Sequence, residues 1–226
     1  MIINPAKMAN PDDLVFYVKY HLKPEFVDEF QERLLGVVEN MIKEESFVSA
    51  FVHQDAEDPT RFSMYERWKV SSKDAFMTYQ MDAKAYRREY EERLPQISKS
   101  PRKIHLLRPM AFWANIDVEP GNEDLAFYVN FHIKPDRVDD WKQAALKVLN
   151  KMAEEDTFIS TFLHQDAEDP TRFTLYERWN EPDLNLMIKK QKEKKYRKVY
   201  EDILPDMVQS LRTFRLLQPI GNWVGE

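Results

Sequence analysis

The chain has 226 residues, 43% of them hydrophobic and 32% charged, and its net charge of −6 gives no electrostatic reason to expect binding to nucleic acid or to an anionic membrane. The absence of cysteine excludes disulfides, thiolate metal sites and cysteine nucleophiles, and it suits a reducing cytoplasm, where we expect the protein to reside. No apolar run approaches the roughly 18 residues that a membrane span needs, and the first residues lack the charged-then-apolar order of a signal peptide.

The sequence is a tandem repeat. The decapeptide HQDAEDPTRF occurs at His53–Phe62 and again at His164–Phe173, and the segments on both sides of it align as well. Each repeat spans about 100 residues, which is the length of a domain. We therefore predict two domains, 1–113 and 114–226, in which 114–123 is the linker.

Each repeat shows its patterns in the order strand, helix, strand, strand, helix, strand. In the first strand Phe16, Val18 and Tyr20 alternate with Tyr17, Lys19 and His21, which is the period of a strand. After Pro24, apolar residues recur at helical spacing. Two segments rich in β-branched and aromatic residues flank the acidic, proline-bearing centre of the decapeptide, as in a hairpin. In the first repeat the six segments are 16–21, 24–41, 46–53, 61–68, 74–94 and 102–109. The order βαββαβ predicts an α+β fold of two tandem ferredoxin-like domains.

The centre of the decapeptide is predicted to form the same turn in both copies. Pro59 cannot donate a hydrogen bond to a β ladder, and aspartate side chains commonly accept hydrogen bonds from the backbone of a turn. The alternative is a metal site, for which the first copy offers four side chains: His53, Asp55, Glu57 and Asp58. One histidine and loop carboxylates, without a second histidine at ligand spacing, make a weak metal site. We therefore expect no bound metal.

The hairpin resembles the central hairpin of the antibiotic biosynthesis monooxygenase family, and its most specific part is the Y-E-x-W ending at Tyr65–Trp68 and Tyr176–Trp179. The resemblance covers nearly all of both repeats. It implies ferredoxin-like domains that pair so that their two sheets close into a barrel. In this chain the two partners would be the two repeats, which form an intramolecular pseudo-dimer with a β-barrel-like sheet pair; further self-association stays open.

The same resemblance implies chemistry without cofactors. In the better-understood branches of the family, oxygen reacts directly with an electron-rich phenol or hydroquinone, while the protein binds the substrate in an apolar pocket, helps to ionise it and excludes water. We expect a cofactor-independent monooxygenase that acts on a small aromatic or quinol-type molecule, with no flavin, haem or metal. Two alternatives stay open: a non-catalytic binding protein for an aromatic metabolite or haem, and a structural pseudo-dimer whose pockets are filled by side chains.

The resemblance also assigns pocket residues, position by position, to a space between the sheet and the helices. They are the family tryptophan, a residue near the middle of the first strand and a residue of the second helix. In the two repeats the matching pairs are Trp68 and Trp179, Tyr17 and Tyr128, and Tyr79 and Lys189. The last pair stands where the family commonly has a histidine, which counts against haem degradation because that histidine binds iron there.

Histidine and glutamate residues supply the candidate acid–base groups. Histidine is the side chain that titrates unperturbed near neutral pH, so a base that ionises a phenol is sought first among the histidines. The candidates form two equivalent pairs, His21 with His132 and His53 with His164. The alternative for each is a strand-end histidine hydrogen-bonded to a neighbour. Glu66 and Glu177 share strand parity with the tryptophans two residues later, and we expect them to point inward and to pair with arginine or tyrosine.

Strand parity and the differences between the repeats refine these predictions. His21 lies on the same strand face as Tyr17, which makes it the first candidate for the base if that face lines the pocket. Lys19 aligns with Asn130, so two pockets would differ in charge. It stays open whether one half binds a ligand while the other supports the fold.

Overall fold

A computed structural model of the protein describes residues 10, 12–70, 72–82, 84–115, 117–118, 120–121 and 123–225. The first repeat contains β1 (Leu14–Leu22), a 3₁₀ turn (Pro24–Phe26), α1 (Val27–Met41), β2 (Phe47–Asp55), β3 (Arg61–Trp68), α2 (Lys73–Phe76), a π-helical turn (Met77–Asp82), α3 (Ala85–Ile97) and β4 (Ser98–Ala114). The second repeat contains β5 (Leu125–Ile133), a 3₁₀ turn (Pro135–Arg137), α4 (Val138–Met152), β6 (Phe158–Asp166), β7 (Arg172–Trp179), α5 (Leu184–Glu193), α6 (Lys195–Met207) and β8 (Val208–Val224). None of the helices in this described part of the chain is long and apolar enough to cross a membrane.

Antiparallel pairing joins the strands of each repeat in the same register. In the first repeat β3 lies between β1 and β2, so that Tyr65 faces Tyr17 on one side and Phe51 on the other. The equivalent residues of the second repeat pair in the same way. The hydrogen-bonded order of the eight strands is β1-β3-β2-β8-β5-β7-β6-β4, a closed barrel. The predicted fold class is therefore confirmed.

The contacts of the chain divide it into two compact units. One contains Asn10–Arg108 and the C-terminal segment that starts at Pro219, and the other contains Pro109–Gln218. The cause is the length of β4 and β8, which have 17 residues each and whose final residues join the unit of the other repeat. Trp223 therefore packs against the core of the first unit, and Trp113 packs against the core of the second.

The second helical region and the last strand differ from their predicted bounds. The region predicted over 74–94 is divided, because Lys84 has an extended backbone that separates the π-helical turn from α3. Lys194 separates α5 from α6 in the same way. The last strand of the first repeat, predicted over 102–109, extends over the whole of β4 because its two halves have partners in different units.

Each sheet packs one of its faces against the helices of its own repeat. In β1, Phe16, Val18 and Tyr20 belong to a core that also contains Phe30 of α1. Successive side chains of a strand point to opposite faces, so Tyr17 lies on the face away from the helices, where it is also buried. A strand buried on both faces carries apolar residues on both, which explains why β1 lacks a simple polar–apolar alternation.

The decapeptide forms the same turn in both repeats, as predicted. One carboxylate oxygen of Asp55 accepts hydrogen bonds from the backbone N–H groups of Glu57 at 2.9 Å and Asp58 at 3.2 Å. Asp58 in turn accepts one from the backbone N–H of Thr60 at 3.0 Å. The equivalent bonds of the second repeat measure 2.8, 3.0 and 3.0 Å. Within the described residues, no three histidine or acidic side chains are grouped so as to hold a metal ion.

Replacing Asp58 with asparagine is expected to lower stability at neutral pH and progressively less as the pH approaches 2. Hydrogen bonds from Thr60 and the charge of Arg61 lower the pKa of Asp58 to about 2, below the value of about 3.9 for an unfolded chain. A lowered folded-state pKa contributes stability above the unfolded pKa, and this contribution is lost as the pH falls through the folded pKa. Urea unfolding across this pH range measures the difference from the wild type. A loss of unfolding free energy in Asp58→Asn that stays constant with pH would contradict the lowered pKa of Asp58.

Candidate functional site

The second repeat contains a cavity of about 620 Å³ between its sheet and its helices. Its apolar surface comes from strands β5, β7 and β8 and from helices α4 and α5: Phe127, Val129, Phe131, Leu175, Phe214, Ala145, Val148, Leu149, Met152, Leu184, Met187 and Ile188. Its polar residues are Glu177, Gln191, Lys192, Arg197, Lys198, Tyr200, Glu201 and Arg212. Cavities of this size and composition are typical of sites for small molecules.

The space is open in the second repeat because other side chains occupy the equivalent positions of the first. Leu34 of α1 is fully buried, and its equivalent in α4 is the much smaller Ala145. Phe76 packs in the core of the first repeat, with its ring centroid 5.4 Å from that of Trp68. Its equivalent in α5, Leu186, is 44% exposed and leaves the core. The two repeats therefore share a fold but not a packing.

Glu177 and Arg197 belong to the polar part of the cavity wall, and Trp179 contacts both of them from behind it. The indole Nε1 of Trp179 donates to Glu177 at 3.2 Å, and the guanidinium of Arg197 lies 5.7 Å from the centroid of the Trp179 ring. The Nε and Nη2 atoms of Arg197 are buried and have no hydrogen-bond partner among the described residues. In the first repeat the corresponding arginine forms an ion pair, since Arg87 lies 3.8 Å from Glu66.

Tyr200 supplies a neutral hydroxyl to the same wall. Its oxygen accepts a hydrogen bond from the indole Nε1 of Trp141 at 3.0 Å. Burial raises the pKa of Tyr200 well above the usual range of a tyrosine, so the hydroxyl keeps its proton at neutral pH. Tyr200 is therefore a hydrogen-bond donor for an oxygen atom of a ligand.

The structure brings one of the predicted glutamate–tryptophan pairs to the cavity. Glu177 lines it, and Trp179 lies behind Glu177 as its hydrogen-bond donor. Trp68 and Glu66 form the equivalent bond at 3.0 Å in the first repeat, where both are buried. Both glutamates point inward, as expected, and each accepts a hydrogen bond from tryptophan. The expected pairing with arginine is found for Glu66, which lies 3.8 Å from Arg87.

The predicted tyrosine and lysine positions lie away from the cavity. Tyr17 and Tyr128 are buried on the opposite face of the sheet from the tryptophans, because they pair with the tyrosines of β3 and β7. Their strand parity therefore places them behind the sheet and not beside Trp68 or Trp179. Tyr79 is 66% exposed, and Lys189 is exposed on α5.

The four predicted histidines are also placed elsewhere. His53 and His164 are buried in β2 and β6, on the sheet face that points away from the helices. His21 and His132 are half-buried at the ends of β1 and β5, and burial together with the charge of Arg61 lowers the pKa of His21. The described lining of the cavity contains no histidine, so it offers neither a histidine base nor the histidine ligand common in haem sites.

Sequence analysis did not identify Ala145, Arg197 or Tyr200 as site residues. A signal for Ala145 is present in the alignment, because a large apolar residue of the helical stripe, Leu34, is replaced there by a small one. For Arg197 the alignment gives no such signal, since Arg87 occupies the equivalent position and the difference lies in what each arginine contacts.

Comparison with known proteins adds a family and a fold. The family model described as antibiotic biosynthesis monooxygenase matches residues 14–84 and 125–183, which together exceed half of the chain. A search of curated proteins gives no match.

Solved structures share the architecture of both repeats. A protein from Fusobacterium nucleatum subsp. nucleatum, provisionally named a monooxygenase, is 15% identical with a TM-score of 0.79, and 94% of each chain is covered. A second protein so named, from Lactobacillus acidophilus, is 14% identical with a TM-score of 0.75, over 94% of this chain and 96% of that one. An anthrone oxidase-like protein is 13% identical with a TM-score of 0.72, over 96% and 94%. These likenesses show a shared fold, and the family model shows that the chain belongs to the antibiotic biosynthesis monooxygenase family.

Proposed function

We propose that the protein is a cofactor-independent monooxygenase that oxidises a small aromatic or quinol-type molecule in the cavity of the second repeat. The observation that carries the proposal is the cavity itself, an apolar space of about 620 Å³ that also contains Glu177, Arg197 and Tyr200. Aromatic phenols combine an apolar body with an ionisable oxygen and match such a lining. Family membership and the shared fold of an anthrone oxidase-like protein support this substrate class.

The proposed reaction inserts one oxygen atom into the substrate. A phenol loses its hydroxyl proton, and the electron-rich phenolate supplies electrons to O₂. At the ring carbon para to the hydroxyl, the C–H bond is replaced by C=O while the O–O bond breaks, and the second oxygen leaves as water with the two substrate hydrogens. The substrate loses four electrons and O₂ gains four. In this scheme 1-naphthol yields 1,4-naphthoquinone.

Three side chains of the cavity suit the ionisation step. Glu177, held by the indole N–H of Trp179, accepts the phenolic proton. The hydroxyl of Tyr200 donates a hydrogen bond to the phenolate, and the positive charge of Arg197 stabilises it. The apolar remainder of the lining excludes water. The role first sought among the four histidines is assigned in this proposal to Glu177.

Oxygen uptake with a panel of hydroquinones, naphthols and anthrones tests the proposed activity. We expect consumption above the autoxidation of each compound and a rate that rises with pH as the phenol ionises. When ¹⁸O₂ is supplied, we expect one labelled oxygen in the quinones formed from the naphthols and anthrones, whose para carbon carries hydrogen. The substitution Glu177→Gln is expected to lower kcat about 100-fold or more, because it removes the proton acceptor. Glu193→Gln, an exposed position of α5 outside the cavity lining, is the matched control and leaves kcat unchanged.

A non-catalytic binding protein for an aromatic metabolite is the second candidate. One observation favours it: the described lining contains no histidine, the side chain that titrates unperturbed near neutral pH. Oxygen uptake no faster than autoxidation, together with quenching of the fluorescence of the five tryptophans by the same compounds, would establish binding without catalysis.

A further inference from the structure

We propose that the ligand of this cavity carries a carboxylate that Arg197 holds, on an apolar body that fills the remaining space. The inference rests on the cavity of the proposed function, and it adds the charge and the orientation of the bound molecule. It applies equally to a substrate and to a ligand that is bound without reaction.

The unpartnered edge of Arg197 is the first observation. Its Nε and Nη2 atoms are buried without a hydrogen-bond partner in the described part of the chain. These two atoms lie on one edge of the guanidinium with their N–H bonds side by side, which is the arrangement that binds both oxygens of a carboxylate. Buried N–H groups without acceptors are unfavourable, so a ligand carboxylate would satisfy both donors at once.

The neighbouring side chains of the protein form no ion pair with that edge. Glu177 accepts its hydrogen bond from Trp179, and among the described residues no carboxylate forms an ion pair with Arg197. The oxygen of Tyr196, whose hydroxyl donates to Glu155, is close enough to interact with the guanidinium as well. Because Nε and Nη2 are shielded by the side chains around them, a carboxylate would reach them when the side chain of Arg197, which lines the cavity, turns toward it.

The charge of the lining is the second observation. It contains four cations and two carboxylates: Lys192, Arg197, Lys198, Arg212, Glu177 and Glu201. Arg212 is paired with Glu201 at 2.7 Å. The lining is thus positive in a chain whose net charge is −6, and the exposed Lys192 and Lys198 would attract an anion to it.

The position of Arg197 orients the ligand. Because its guanidinium lies 5.7 Å from the Trp179 ring, the bound carboxylate would lie near Glu177. The apolar body would then extend along α4, where Ala145 leaves the space that Leu34 fills in the first repeat.

Binding of anthracene-9-carboxylate and of the neutral anthracene-9-carboxamide, measured by isothermal titration calorimetry, tests the proposal without turnover. We expect the wild type to bind the carboxylate at least about tenfold more tightly than the carboxamide. A ratio of this size corresponds to the free energy that a charge-assisted hydrogen bond contributes. Arg197→Gln is expected to abolish this preference, and Arg197→Lys, which keeps the charge but lacks the fork, to restore part of it. Lys195→Gln changes the net charge equally at an exposed position outside the lining, and it leaves the preference intact.

The outcomes separate this inference from the proposed function. Equal affinity of the wild type for both probes, or an unchanged preference in Arg197→Gln, would overturn the carboxylate inference and leave the cavity as a site for neutral molecules. Failure of both probes to bind would remove the cavity as a site, and the proposed function with it. Circular dichroism reports whether each variant folds; if Arg197→Gln does not, a preference in Arg197→Lys equal to that of the wild type would still refute the role of the fork.

Discussion

Replacing Leu34 with alanine is expected to lower the free energy of unfolding by about 2–5 kcal/mol, the usual cost of a cavity in a packed core. Leu34 of α1 is fully buried in a core that also contains residues of β1 and β3. The reverse change at the equivalent position, Ala145→Leu, is expected to alter the free energy of unfolding by less than about 1.5 kcal/mol, because the added atoms enter open space. Urea unfolding of both variants measures the two values.

The same pair of variants separates binding from stability. Ala145→Leu fills part of the cavity, so we expect the affinity for anthracene-9-carboxylate to fall about tenfold or more. Leu34→Ala lies in the other repeat and is expected to leave this affinity unchanged at temperatures where the variant is folded. Equal destabilisation by the two substitutions, or an effect of Leu34→Ala on affinity, would contradict a site confined to the second repeat.

Replacing Asp124 with alanine is expected to cost about 3–5 kcal/mol, because it leaves the buried charge of Arg178 without its counter-ion. The two side chains form a buried ion pair at 2.8 Å. The same Nη2 atom of Arg178 also donates to the backbone carbonyl of Gly121 at 2.7 Å. Its Nε and Nη1 atoms have no hydrogen-bond partner in the described residues, so the loss of Asp124 would leave Arg178 without its ion pair.

A double variant tests why Asp124→Ala is expected to lower the free energy of unfolding so strongly. Burial raises the pKa of Asp124 even though Arg178 lies beside it, which shows that desolvation outweighs the attraction of the pair. Replacing both partners, as in Asp124→Leu with Arg178→Met, is therefore expected to cost less than Asp124→Ala alone. Asp140→Ala, which breaks an exposed ion pair with Arg137, is the control and should change the free energy of unfolding by less than about 0.5 kcal/mol. Thermal and urea unfolding of the three proteins measure the series.

Local patterns were sufficient to predict the fold because they act over short distances and occur twice. The turn of the decapeptide depends on Asp55 and Asp58, whose carboxylates bind backbone groups two or three residues away. The helix after Pro24 depends on apolar residues at helical spacing. The order of these elements, which is the same in both halves, predicts the ferredoxin-like arrangement.

Strand parity was not sufficient to place the site. Parity correctly grouped Glu66 with Trp68, but it could not show which face of β1 contacts the helices. Phe16 is 3% exposed and Tyr17 is 2% exposed, so both faces are buried and equally apolar. A strand buried on both sides has no local pattern that shows which side faces the helices. The choice of His21 as the first candidate base depended on that face, whereas Tyr17 was assigned to the pocket by the family resemblance.

The sequence by itself determined the duplicated fold, the two apolar cores and the shared turn, since each follows from residues close together in the chain. The tertiary structure decided that the second core holds the cavity. Whether Ala145 leaves a space depends on side chains such as Met187 and Phe214, which come from other elements. Whether Arg197 of α6 is paired depends on its distance from Glu177, which lies on β7. A cavity is a mismatch among side chains that are distant in sequence but packed together in space, and such a mismatch has no local pattern.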